Sequence, residues 1–94
     1  MDAKELVAWN VRRLRVARGL AQEALAVDAG IDRTYVSRVE RNMENPTVAV
    51  LERLAHALGV GIVEFFAVPE QDAKPPQILP KGRRPSKVKP GERG

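Results

Sequence analysis

Gly19-Leu-Ala-Gln-Glu-Ala-Leu-Ala-Val-Asp-Ala-Gly-Ile-Asp-Arg-Thr-Tyr-Val-Ser-Arg-Val-Glu-Arg41 reads as two short helices joined by a tight turn. Residues 22–28 form the first, with Leu25 and Ala26 facing a core. Gly30 sits in the turn, where a positive φ is cheap only for glycine. Asp32 is a good N-cap, because its carboxylate can accept from the free N–H of Thr34 or Tyr35. The next helix runs from Arg33 to about residue 41, with Val36 and Val39 inward. Thr34, Ser37, Arg38 and Arg41 recur at i, i+3, i+4 and i+7 on the opposite face. Arg33 lies in the first turn and points off the helix end. A helix that turns Arg, Thr, Tyr and Ser away from a small core carries the chemistry to enter a DNA groove.

Upstream of this stretch, Val7, Val11 and Leu14 repeat at i, i+4 and i+7 across residues 2–18, which predicts a first helix with one buried stripe. Arg15 borders that stripe, Gly19 is a natural C-terminal stop, and Leu20 then packs inward. Beyond the quoted stretch, Asn42 stands where a left-handed cap is expected. Pro46-Thr47 restarts the chain with Thr47 as N-cap. Val48, Leu51, Ala55 and Leu58 give a fourth amphipathic helix, closed by Gly59. The apolar segment 60–68 holds Ile62, Val63, Phe65 and Phe66 and is expected to be a fifth helix. Phe65 and Phe66 are adjacent, so a helix cannot bury both on one side. One completes the core and the other is left for a partner chain, which makes 60–68 the expected dimer contact. The fold class is therefore all-α, a compact five-helix domain over residues 1–68. Residues 69–94 contain six of the seven prolines and few large apolar side chains, and are expected to be a disordered or extended tail.

Ninety-four residues make one small domain at most. No run of 18 apolar residues is present, and the N-terminus lacks the layout of a signal peptide, so the expected location is cytoplasmic. The chain has no cysteine and a single histidine, His56, which argues against a disulfide frame and a metal site. The only serines are Ser37 and Ser86, and no glycine-rich phosphate loop occurs, so neither catalysis nor a cofactor is expected. The net charge of +4 resides in residues 69–94, which hold seven basic residues against three acidic. Residues 1–68 carry nine of each and sum to zero. Any DNA affinity of the folded part must come from where its arginines sit rather than from bulk charge. The basic tail has two readings, a solubilising segment or a non-specific electrostatic arm on DNA.

Val11-Arg-Arg-Leu-Arg15, Gly19-Leu-Ala-Gln-Glu-Ala-Leu-Ala26, Ala29-Gly30-Ile31, Val39-Glu-Arg-Asn42, Asn45-Pro-Thr47 and Leu51-Glu-Arg-Leu-Ala-His-Ala-Leu-Gly59 occur in order. In that order and spacing they resemble the helix-turn-helix family of phage repressors and Cro proteins, the Xre family, across residues 6–66. Asp32-Arg-Thr-Tyr-Val-Ser37, Glu40-Arg-Asn42 and the Phe65-Phe66 pair are similar to controller proteins of restriction-modification systems. The resemblance implies a lambda-repressor-like fold with the third helix in the major groove of double-stranded DNA. It gives Arg33 a base contact, suited to the O6 and N7 of guanine, and Arg38 a second. Thr34 matches a thymine-methyl or phosphate contact, and Tyr35 and Ser37 phosphate contacts. Gln22 matches a phosphate contact at a helix N-terminus, and Asn45 and Thr47 lie where the family's next loop grips the DNA backbone. Arg15 and Glu40 match a structural ion pair. The implied protein is a homodimer, joined through Ile62, Val63, Phe65 and Phe66 and bound to a palindromic operator, acting as an autoregulatory transcription regulator. The rival class is a protein-interaction module, such as an antitoxin whose tail masks a toxin.

Three residues or pairs depart from the family pattern. Ala21 and Ala24 stand where a Ser or Thr and a Glu form a capping box, a loss of ~1 kcal/mol. Met43-Glu44 replaces a loop that is often basic, and Glu44 there repels phosphate. Asn42 replaces the usual glycine.

Overall fold

Asp2 begins the first helix with a reciprocal cap. Its carboxylate accepts from the Glu5 N–H at 2.8 Å, and the Glu5 carboxylate accepts from the Asp2 N–H at 2.9 Å. The computed structural model describes residues 1–70, so the expected tail lies, from residue 71 onward, outside the described residues. Those residues form α1 (Ala3–Ala17), α2 (Gln22–Ala29), α3 (Arg33–Glu40), α4 (Val48–Leu58) and a 3₁₀ helix (Ile62–Phe66). No helix among them is long and apolar enough to cross a membrane.

Each of these four α-helices closes in the same way. The residue after the last turn is left-handed, Gly19, Gly30, Asn42 or Gly59, and the next N–H reaches back across the turn. Leu20 donates to the Arg15 carbonyl (3.1 Å), Ile31 to Ala26 (3.0 Å), Met43 to Arg38 (2.8 Å) and Val60 to Ala55 (3.0 Å). These are Schellman closures, which place an apolar residue directly after the turn. Leu20, Ile31 and Val60 accordingly pack against the core. At Gly59 the backbone requires glycine, and the flexible end of one side chain lies close by. The φ of Gly59 is +70°, and a Cβ there would lie 2.9 Å from the Arg18 Nη1, which donates to the Leu58 carbonyl at 2.5 Å.

The core lies where the inward stripes meet. Val11, Leu25, Val36, Val39, Leu54, Leu58 and Phe65 are essentially inaccessible to solvent. Each such side chain contributes ~1.5–3 kcal/mol of burial. α2 packs on α3 and α4, and α1 packs on α3 and on the 3₁₀ helix. This arrangement turns the other face of α3 outward, leaving Arg33 and Thr34 exposed.

The fifth element departs from expectation in kind and length. It is a five-residue 3₁₀ turn, with the extended residues Gly61 and Ala67 at its ends. The segment is too short to repay helix nucleation by itself. It is held instead by a residue that sequence reading did not single out. Asn10, buried in α1, donates from Nδ2 to the carbonyls of Phe65 (3.0 Å) and Ala67 (2.8 Å), and its Oδ1 accepts from Arg13 Nε (2.9 Å). The tight turn separates the two phenylalanines. Phe65 is 0% exposed and fills the core, whereas Phe66 is 40% exposed. Phe65 is therefore not available to a partner chain, which corrects its expected place in a dimer contact.

Candidate nucleic-acid interface

α3 is set at a defined angle by one carboxylate. Glu40, at the end of α3, has a side chain only 1% exposed, and that of Arg15 from α1 is 6% exposed. Arg15 Nε donates to Glu40 Oε2 at 2.6 Å and Nη2 to Oε1 at 3.0 Å, a two-pronged pair, while Nη1 donates to the Leu20 carbonyl at 2.6 Å. Gln22 Nε2, from the first turn of α2, donates to the same Glu40 Oε1 at 3.0 Å. Arg12 Nη1 stands 3.9 Å from that oxygen. One buried acceptor thus ties α1, α2 and α3 together, and the planar fork of Arg15 fixes their geometry.

Gln22 occupies a place in this network that sequence reading did not anticipate. Its amide nitrogen donates inward to Glu40. α2 itself begins at Ala21 without a side-chain cap.

On the outer face, Asp32 Oδ2 accepts from the Thr34 N–H at 2.8 Å and starts α3. Arg33 and Thr34 are exposed in the first turn, and no hydrogen bond or ion pair from the described residues reaches the Arg33 guanidinium. Tyr35 lies partly against the core. Burial, and then the nearby Glu44 carboxylate, raise its phenol above the ordinary value of 10.0, so it is a neutral hydroxyl donor at physiological pH. Ser37 is half-buried, and its carbonyl accepts from Arg41 Nε at 3.4 Å. Asn45 and Thr47 are exposed in the loop before α4, where Thr47 Oγ1 accepts from the Val50 N–H at 3.1 Å.

Arg38 is held rather than free. Its Nε donates to Glu44 Oε2 at 2.7 Å and its Nη2 to the Met43 carbonyl at 3.3 Å. Glu44, read from sequence only as a residue repelling phosphate, is the partner of an arginine on the outward face. The left-handed Asn42 (φ 61°) makes this contact by turning the chain back over the end of α3.

The helix-turn-helix family (HTH_3) matches residues 11–65, from α1 to the core phenylalanine. The chain belongs to this helix-turn-helix family. Within it, the crystal structure of a hypothetical transcription factor from Neisseria superposes with a TM-score of 0.69 at 43% identity, covering 72% of this chain and 78% of that one. Control protein C.SmaI of Serratia marcescens is 45% identical over 66 residues, which are 70% of this helix-turn-helix chain and 79% of that protein. The restriction-modification controller protein C.Esp1396I, solved as a tetramer in complex with its natural 35 base-pair operator, gives a TM-score of 0.65 at 36% identity, over 70% of this chain and 87% of that one.

Proposed function

We propose that this chain is a homodimeric, sequence-specific DNA-binding transcription regulator that lays α3 in the major groove. The observation that carries the reading is the exposed guanidinium of Arg33, without a partner among the described residues, at the start of α3, a helix clamped from behind by Arg15, Glu40 and Gln22. A guanidinium at that end of a docked recognition helix reaches base edges, and its fork matches guanine O6 and N7. Arg38 is the second base reader, and Thr34 contacts a thymine methyl or a phosphate. Tyr35, Ser37, Gln22, Asn45 and Thr47 take phosphate. The similarity to a controller protein solved on its operator supports this docking. The similarity to C.SmaI supports the finer reading of an autoregulator working in the cytoplasm beside restriction-modification genes.

The dimer uses Ile62, Val63 and Phe66, with Val68 alongside. Val63 is 70% exposed and Phe66 40%, and they stand at i and i+3 of the 3₁₀ helix, where side chains eclipse. Two protomers related by a two-fold axis place their α3 helices about 34 Å apart and require an inverted repeat.

Selection of random duplex DNA on the purified protein at ~150 mM salt, where non-specific phosphate binding is weak, tests the reading. Enrichment of one palindrome, with a guanine in each half-site whose preference disappears in Arg33→Ala, is the expected result. Enrichment of no motif, together with capture of a stoichiometric second protein, would replace the regulator with an interaction module.

A further inference from the structure

Arg33 and Arg38 share the outward face of α3 but are in different states. Arg33 has no partner among the described residues, whereas Arg38 has two, both from the loop that follows the helix. An arginine carries five N–H donors in a rigid plane. Glu44 takes the Nε–H and the Met43 carbonyl takes one Nη2–H, which together occupy the side edge of the guanidinium. Of the three that remain, one Nη1–H and the second Nη2–H form the end edge, and the other Nη1–H faces the Cδ side. The Met43 N–H, donating to the Arg38 carbonyl at 2.8 Å, locks the loop to the same residue. The Arg38 and Glu44 side chains are 39% and 29% exposed, so the pair sits at the surface that α3 offers.

We propose that Glu44 is a specificity-determining positioning residue, which presents the end edge of Arg38 to a base and neutralises Arg38 as a phosphate contact. This rests on the DNA-binding reading above. The end edge offers two parallel donors, the pattern that guanine O6 and N7 accept and that a phosphate can also take. The carboxylate decides between them. A lone arginine is drawn to any phosphate and releases a counterion there, whereas an arginine already paired with a carboxylate brings no net charge and gains little from the DNA backbone. What remains is directional hydrogen bonding to a base edge. Glu44 thus lowers affinity for DNA in general and sharpens the choice of sequence. This division of labour suits a folded part whose charges sum to zero.

The test uses the full chain and the duplex enriched by the wild type. Binding to that duplex, to its single base-pair variants and to a scrambled duplex is measured over a salt series for the wild type, Glu44→Ala, Glu44→Gln and Arg38→Ala. In Glu44→Ala, discrimination at one base pair per half-site is expected to fall by about tenfold, at the same base pair where Arg38→Ala loses it. Binding to the scrambled duplex should tighten several-fold, and the slope of log K against log salt should steepen by about one unit per protomer. Glu44→Gln keeps an acceptor for Nε but not the charge. It should steepen the slope while retaining most of the discrimination. The Arg38 Nε–H resonance, followed by NMR without DNA, should be distinct in the wild type and lost in Glu44→Ala. A Glu44→Ala protein with unchanged discrimination and salt slope, altered only in melting temperature, would overturn the proposal and leave Glu44 a loop staple. A wild type that enriches no duplex would remove the DNA-binding reading and this proposal together, so the two failures are distinct.

Discussion

Glu40 is the residue on which most of the scaffold depends. Its buried carboxylate accepts from Arg15 and Gln22, so it compensates a buried cation and orients a polar side chain at once. Glu40→Ala should destabilise the chain by ~3–5 kcal/mol in chemical denaturation, because it leaves the Arg15 charge buried and unpaired. Replacing both partners with apolar residues, Arg15→Met with Glu40→Leu, should recover most of that loss, since the cost lies in the orphaned charge rather than in a missing attraction. A double variant as unstable as the single one would show that the pair itself supplies the stability. At this scale legibility was uneven. That Arg15 and Glu40 border inward faces follows from helical spacing, but their pairing came from the family likeness. Asn10 gave no signal, because a buried amide between Val7 and Val11 makes sense only once the carbonyls of Phe65 and Ala67, more than fifty residues away, are in place. Glu44 was read by its charge alone, and its arginine partner needed the left-handed turn at Asn42 to become visible.

At the scale of elements, caps and stops were the most readable features, because they depend on a few adjacent residues. Asp32 and Thr47 each cap the helix they precede, and the left-handed residues end the helices they follow. The uncapped start of α2 is where this logic makes its own prediction. Ala21 already has the backbone of an N-cap, φ −73° and ψ 160°, and lacks only the side chain. Ala21→Ser should therefore add ~1 kcal/mol, and Ala24→Glu in the same chain should complete a reciprocal capping box. In a domain of this size the first change alone should raise the melting temperature by about 4–8 °C. Neither residue belongs to α3, so the enriched DNA sequence should stay the same. A melting temperature that does not rise would mean that α2 begins elsewhere in solution. The segment after α4 was the least readable element. Its apolar run fits a helix and a tight turn equally well by periodicity, and a buried side chain on α1 decides the matter.

For the molecule as a whole, the apolar side chains divide between what holds one chain together and what is left to join two. Phe65 and Phe66 stand on either side of that division, one inside and one at the surface beside Val63. Their substitutions should therefore fail in opposite ways. Phe65→Ala should cost ~3–5 kcal/mol and unfold much of the population, whatever the protein concentration. Phe66→Glu with Val63→Asp should leave helical content and the unfolding of the isolated chain nearly intact, because neither side chain fills the core. The same double change should convert a dimer into a monomer in sedimentation equilibrium. Operator binding would then become weak and strongly dependent on concentration, since each protomer reaches one half-site and nothing holds the second α3 about 34 Å away. If the double variant stayed dimeric and bound the palindrome normally, the two-fold contact would have to lie on another face. The spacing between half-sites, and with it the choice of operator, would then be set by a different part of the fold.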